Sequence, residues 1–259
     1  MIKLKSLAEM EGIRRAGAIL ADTIRELRRM VRPGITTSQL DEFVRTYILS
    51  RGGKPAQLGY MGFPASLCAS VNEQVIHGIP GPRRLEGGDI VDLDIVVDLD
   101  GLCADACLSL PVGTVSAERQ RLLQVARECL YLGVEQAVVG RRIGDISRAI
   151  YTHARSHGFD LVRQFCGHGV GFGVHEDPQI PNYPSKGPNP RIKPGMILAV
   201  EPMVNAGGWE VEVLEDDWTV VTRDGSDSAH FEHTVGVYQD HSEILTPWDE
   251  EPILAEAAG

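Results

Sequence analysis

The stretch Cys166-Gly-His-Gly-Val-Gly-Phe-Gly-Val-His-Glu-Asp-Pro178 places two imidazoles, His168 and His175, seven positions apart among four glycines. A helix rarely holds that much glycine, so the pair does not share a helical face. Glycine lets a backbone come close to a neighbour, which raises the question of what this stretch approaches.

A second set is acidic. Asp92-Leu-Asp-Ile-Val-Val-Asp-Leu-Asp-Gly-Leu-Cys-Ala-Asp105 carries five aspartates among apolar residues. Aspartate is poor in strands and costly when buried without a partner. Asp100-Gly101 is a hairpin-turn signal. With these two residues as the loop, Asp94 faces Cys107, and Asp105 becomes a diagonal neighbour of Asp94 at roughly 7–8 Å. A four-residue loop, Asp98 to Gly101, sets the two aspartates directly opposite. Either register brings them to one face. Asp98 and Asp100 read as turn residues, and Asp92 shares the parity of Asp94 but ranks behind it.

Glu201 interrupts the apolar run Met196-Ile-Leu-Ala-Val-Glu-Pro-Met-Val204, and Glu232 lies in Ala229-His-Phe-Glu-His-Thr-Val-Gly236, just ahead of another apolar strand. Taken singly, each reads as a paired structural carboxylate. Four converging carboxylates with no lysine or arginine in the same strands would repel one another, and their pKa values would rise. Divalent metal resolves that conflict. An oxygen-rich set with a single imidazole suits Mn(II), Fe(II) or Co(II) better than a structural zinc cage. Two ions roughly 3.5–4 Å apart share a bridging water and acidify it toward neutral pH.

The surrounding elements must hold these groups. Ser6-Leu-Ala-Glu9 is a capping-box pattern, and Met10, Ile13, Ala16, Leu20, Ile24 and Leu27 keep helical spacing until Arg32-Pro-Gly34. Further helices are expected over Thr37 to Arg51, Ser116 to Gly140 and Asp145 to His157. Strands are expected at Leu67–Val71, Ile90–Val97, Met196–Val200, Trp218–Thr222 and Phe231–Tyr238. The last thirteen residues, 247–259, read as a short acidic tail.

The two halves echo each other. Ser50-Arg-Gly52 and Ser156-His-Gly158 close helices 106 residues apart, and Gly88–Asp94 matches Gly195–Glu201 at an offset of 107. His77-Gly-Ile-Pro80 matches His175-Glu-Asp-Pro178 at an offset of 98. Three matches in one order suggest a duplicated helix-plus-sheet unit, with chance likeness among glycine turns as the alternative.

The totals exclude several classes. A chain of 259 residues buries a full core, and its net charge of -11 opposes a nucleic-acid footprint. No apolar run reaches the ~18–20 residues of a membrane span, and the N-terminus has no apolar signal core. Five cysteines without Cys-x-x-Cys spacing suggest free thiols in a reducing cytoplasm.

In order and spacing, Val71-Asn-Glu-Gln-Val-Ile-His-Gly-Ile-Pro80, Asp94, Asp105, Gly167-His-Gly169, His175-Glu-Asp-Pro-Gln179, Glu201-Pro202 and Glu232-His-Thr234 resemble the type I methionine aminopeptidases. The resemblance runs from about Met1 to Thr246. It implies an α+β pita-bread fold, with two pseudo-symmetric halves, a central antiparallel sheet and outer helices. Residues 1–246 would form one catalytic domain.

Carried over by position, the implied ligands are Asp94, Asp105, His168, Glu201 and Glu232. They would hold two divalent ions per chain (Co, Mn, Fe or Zn), with Asp105 and Glu232 bridging. Glu201 matches the proton shuttle, and His77 and His175 match substrate-contacting histidines that stabilise the tetrahedral intermediate. The glycines around His168 would let the strand pass beside the bound peptide. Tyr60, Phe63, Cys68, His77 and Trp218 match the methionine pocket.

The implied activity removes the initiator methionine from nascent chains whose second residue is small. It implies N-terminal peptides near the ribosome as partners, in the cytoplasm, and a monomer that binds neither nucleic acid nor membrane. Four positions depart from the pattern: Val174 in place of a common phenylalanine, Ala106-Cys107 in place of Thr-Ser, and His230 in place of glutamine. Two rival readings are a proline-specific peptidase of the same fold, which usually carries a further N-terminal domain, and a non-catalytic binding protein, which would lack ligands.

Overall fold

The computed structural model describes residues 1–248. Helix α1 (Leu7–Met30) starts from Ser6, whose side chain accepts from Glu9 N–H while the Glu9 carboxylate accepts from Ser6 N–H at 2.6 Å. This is the reciprocal cap the sequence pattern predicts. Helix α2 (Thr37–Ser50) repeats the device with Thr36 and Gln39. Helices α3 (Ala117–Gln136) and α4 (Ile143–Ser156) follow. The expected extension of α3 to Gly140 does not form: the helix stops at Gln136, and Gly140 turns the chain at φ 94°.

The strands, in chain order, begin with β1 (Lys54–Pro55), β2 (Cys68–Val71), β3 (Gln74–Ile76), β4 (Ile90–Leu99) and β5 (Leu102–Pro111). Next come β6 (Asp160–Leu161), β7 (Gly167–Gly169), β8 (Glu176–Ile180), β9 (Ile197–Val200) and β10 (Met203–Asn205). The last are β11 (Val211–Val213), β12 (Val220–Thr222), β13 (Ser228–His230), β14 (His233–Val237) and β15 (Ser242–Ile244). One sheet has β4 paired with β1, β2 and β5; another runs β15-β14-β9-β7-β8. Two smaller sheets run β13-β10-β6 and β11-β12-β3.

The β4–β5 hairpin turns on Asp100 (φ 56°) and Gly101 (φ 82°), so the two-residue loop is the one adopted. Asp94 stands opposite Cys107, with Asp105 its diagonal neighbour. The apolar stripe of α1, including Met10, Ile13, Leu20, Ile24 and Leu27, is buried against this hairpin.

The fold is α+β with two pseudo-symmetric halves, each giving two helices and then a sheet. Its details repeat as the sequence offsets suggest. Thr36 and Arg142, just ahead of α2 and α4, bridge to Arg84 and Arg191, offsets of 106 (36 to 142) and 107 (84 to 191). The helix-closing glycines Gly52 and Gly158 share left-handed φ values of 81° and 84°.

The expected strand Phe231–Tyr238 forms as β14, starting two residues later at His233, and a separate short strand, β13, precedes it across a break. β13 pairs with β10, whereas β14 pairs with β9 in a different sheet. Glu232 sits in the break and donates its N–H to Cys107 O of β5 at 2.9 Å. Glu201 sits in the matching break between β9 and β10, followed by Pro202, which cannot donate to a ladder. Two partnered strands thus switch sheets together, each at a glutamate.

Trp248, assigned by composition to the acidic tail, belongs to the packed structure, whereas Pro247 beside it is exposed. Trp248 is fully buried, stacks on His233 at 4.6 Å and donates from Nε1 to Glu232 O at 3.3 Å. The rest of the expected tail, 249–259, lies outside the described residues. All five cysteines are free. Among the described residues no helix is long and apolar enough to cross a membrane.

Candidate metal centre and substrate cavity

A cavity of about 650 Å³ takes its lining from both halves. All eleven side chains singled out in the sequence line it: Tyr60, Phe63, Cys68, His77, Asp94, Asp105, His168, His175, Glu201, Trp218 and Glu232.

His168 rides on β7. Its Nδ1 lies 2.9 Å from Gly169 O, and a carbonyl only accepts, so Nδ1 carries the hydrogen. Nε2 is left with a lone pair, 3.2 Å from Glu201 Oε1 and 3.8 Å from Asp105 Oδ2. Burial, with His175 alongside, pushes the His168 pKa down to about 3, so the ring is neutral at pH 7. A neutral lone pair turned toward carboxylate oxygens is repulsive unless a cation stands between them.

The carboxylates carry the same conflict. Burial holds Asp105, Glu201 and Glu232 well above the usual carboxylate range. Asp94 is pushed up to about 6 by burial and by Glu201, against the opposing pull of His230 and Gln57. The Asp105 carboxyl beside Glu232 adds to the upward shift of Glu232. Asp105 Oδ1, Glu201 Oε1 and Glu232 Oε1 are buried without hydrogen-bond partners. One ligand atom from each of Asp105, His168 and Glu232 lies within 4.8 Å of the other two. Orphaned oxygens with one neutral imidazole, its other nitrogen tied to a carbonyl, form a donor set that fits divalent ions.

Neighbours fix the set. Gln57 Nε2 donates to Asp94 Oδ1 at 3.1 Å and to Asp94 O at 3.2 Å. Thr234 Oγ1 accepts from Asp105 N at 2.9 Å and donates to Asp105 O at 2.7 Å. Asn182 Nδ2 donates to Glu201 O at 2.9 Å. Asp92 stands apart: its Oδ1 accepts from Ser109, and it does not line the cavity.

The apolar part of the cavity is built around Trp218. Phe63 meets it edge-on at 5.1 Å and His77 at 6.1 Å. Phe63 and Cys68 belong to one small buried cluster with Trp218 against it. His175 lies 4.3 Å from the His168 ring, and its Nδ1 is 2.9 Å from the Tyr60 hydroxyl. Burial lowers both histidines, His77 to about 4. Among the described residues five non-glycines have left-handed φ, and three of these, Met61, His77 and Asp217, line the cavity. Such strain clusters at working sites.

Two features differ from the sequence reading. The glycines of β7 do not line the cavity. A Cβ on Gly167 would lie 2.5 Å from Ala199 O, and one on Gly169 would lie 2.3 Å from Asp177 O. They admit the chain's own neighbouring strands. His230, set aside as a departure, lies at the centre of the site. Its Nε2 is buried without a partner, 3.6 Å from Glu201 Oε2, and burial lowers its pKa to about 4. Gln57 was also missed. The signal for His230 was its place two residues before Glu232; none marks Gln57.

Residues 11–239 match metallopeptidase family M24. The chain belongs to this family. A methionine aminopeptidase of Treponema pallidum is 47% identical over all of both chains, and methionine aminopeptidase 1 of Bacillus subtilis is 47% identical over 95% of this chain and 99% of its own. The crystal structure of methionine aminopeptidase from Rickettsia prowazekii superposes with a TM-score of 0.92 at 41% identity, covering 95% of this chain and all of that one. The Pyrococcus furiosus prolidase shares the fold at a TM-score of 0.74 and 19% identity, but this chain covers only 65% of it.

Proposed function

We propose that this chain is a metal-dependent methionine aminopeptidase, cutting after an N-terminal methionine when the second residue is small. One observation carries the reading: a single cavity joins buried, unpartnered carboxylate oxygens to the Phe63–Cys68–Trp218 apolar cluster. His77 touches the apolar side and His175 touches His168.

Asp94, Asp105, His168, Glu201 and Glu232 are the residues that would hold two divalent ions. When bound, such ions acidify water and polarise the scissile carbonyl. Phe63 and Trp218 would take the methionine side chain, whose thioether favours aromatic edges. Glu201 would accept the proton of the attacking water at its unpartnered Oε1 and deliver it to the leaving amine. Tyr60 would donate its hydroxyl to His175 Nδ1, leaving Nε2–H to donate to the developing oxyanion. Neutral His77 would serve the same oxygen. Nascent chains near the ribosome, in the cytoplasm, are the proposed source of substrate.

The test is methionine release from Met-Ala-Ser by chelated protein, before and after Mn(II), Fe(II), Co(II) or Zn(II) is restored. Full activity after exhaustive metal removal would refute the reading. Rapid cleavage of X-Pro peptides lacking methionine would favour the prolidase-like alternative on this fold.

A further inference from the structure

A second group of potential ligands lies away from the cavity, on the outer helices. His153 in the last turn of α4 and His157 at its C-cap are spaced i, i+4, so they occupy one face. Glu128 on the packed neighbour α3 meets them. One ligand atom from each of the three lies within 4.8 Å of the other two, and none of the three lines the 650 Å³ cavity.

The bonds around the group orient it. His157 Nδ1 lies 2.9 Å from His153 O, so it carries the hydrogen and leaves Nε2 with a lone pair. Gln124 Nε2 donates to Glu128 Oε1 at 2.9 Å, leaving Oε2 directed at His153 Nε2, 2.6 Å away. Outer hydrogen bonds of this kind hold ligating imidazoles and carboxylates in place. A plain ion pair needs Glu128 and His153 alone. The second ring, 4.4 Å from the first, caps the helix through its Nδ1–H and so presents its other nitrogen beside that pair. All three residues are half-buried; Glu128 and His153 line a surface groove of about 380 Å³ that Arg127 and Glu135 also line.

We infer that Glu128, His153 and His157 form a second metal site for a divalent transition ion of the zinc class, clipping α3 to α4. Two imidazoles and a carboxylate with a solvent-facing fourth position are a donor set zinc accepts, and the i, i+4 histidine pair on a helix is a spacing it uses. The site does not depend on the proposed activity. Its consequence is that metal titrations of the central cavity would count one ion too many.

The probe is Zn(II) alone, dialysed at buffered free concentration against the full chain. The wild type should hold one more zinc per chain than a His153→Gln/His157→Gln double variant. Glu128→Gln, which keeps the side-chain shape, should weaken that extra zinc about tenfold or more. Both variants should keep the wild-type methionine-releasing rate with the central ions restored. Zinc should raise the wild-type Tm more than that of either variant. Equal zinc content and equal zinc-dependent Tm in wild type and Glu128→Gln would overturn the site, whatever the double variant does. Loss of activity on metal removal tests the central cavity separately, so the two readings fail on different measurements.

Discussion

Gly169→Ala tests what the glycine-rich run around His168 is for. A Cβ at Gly169 would lie 2.3 Å from Asp177 O and 2.8 Å from Asp177 C. Real Cβ contacts essentially never fall under 3.0 Å, so the strands must part by at least about 0.7 Å. β7 is held on its other side by pairing of His168 with Ala199 and Gly169 with Leu198. β8 is the outermost strand of this sheet, so β8 yields. His175 immediately precedes β8, and Glu176 is the residue paired with Gly169. The shift therefore moves His175 and spares His168.

A misplacement approaching 1 Å at a reacting centre costs on the order of 10²-fold in rate, or about 2.7 kcal/mol of barrier. Overpacking should also lower stability by about 1–3 kcal/mol. The assay is kcat/KM on Met-Ala-Ser beside metal per chain by elemental analysis, with Gly173→Ala as control. A Cβ at Gly173 meets nothing within 4 Å. The expected result is a rate loss with full metal content for Gly169→Ala and little change for Gly173→Ala. Full activity of Gly169→Ala would refute the packing argument, and an equal loss in Gly173→Ala would point instead to glycines that make room for substrate.

Other outcomes follow from the same geometry. His168→Ala should lower both metal content and rate, whereas His175→Ala should keep its metals and lose ~10²–10³ in rate; elemental analysis beside kinetics separates them. In the chelated protein the raised carboxyls, Asp94 at about 6 among them, bind more protons folded than unfolded. Their contribution is therefore most favourable at low pH and falls as pH rises through those values. Tm of chelated protein should drop relative to metal-loaded protein as pH rises from about 4 to about 6, the span of the Asp94 shift, and parallel curves would contradict this. Trp248→Ala should destabilise by about 3–5 kcal/mol in urea unfolding, since it empties a fully buried ring site; a change under about 1 kcal/mol would put Trp248 outside the core. Met-Ala peptides should be cleaved and Met-Lys peptides resisted; equal rates would contradict the small-residue rule.

Much of the fold was legible because its signals are local. Ser6 with Glu9 sets a helix start through hydrogen bonds three residues apart, and Asp100-Gly101 sets a hairpin through two left-handed backbones. The hairpin in turn fixes Asp94 and Asp105 on one face, because strand parity is a property of the chain alone. The acidic residues stood out because unpaired charge in apolar runs demands an explanation. Tertiary structure decided the rest. Pro202 marks the break at Glu201, but nothing local marks the matching break between β13 and β14 at Glu232, which depends on which distant strand offers a partner. Trp248 sits in an acidic sequence context, yet it is buried, because His233 and Glu232 O receive it from 15 and 16 residues away (233 and 232 to 248). His230 became part of the site only when folding brought its Nε2 beside Glu201, a residue 29 positions earlier (201 to 230). Parity can be read along a chain, but close approach between separate strands is set by packing in three dimensions.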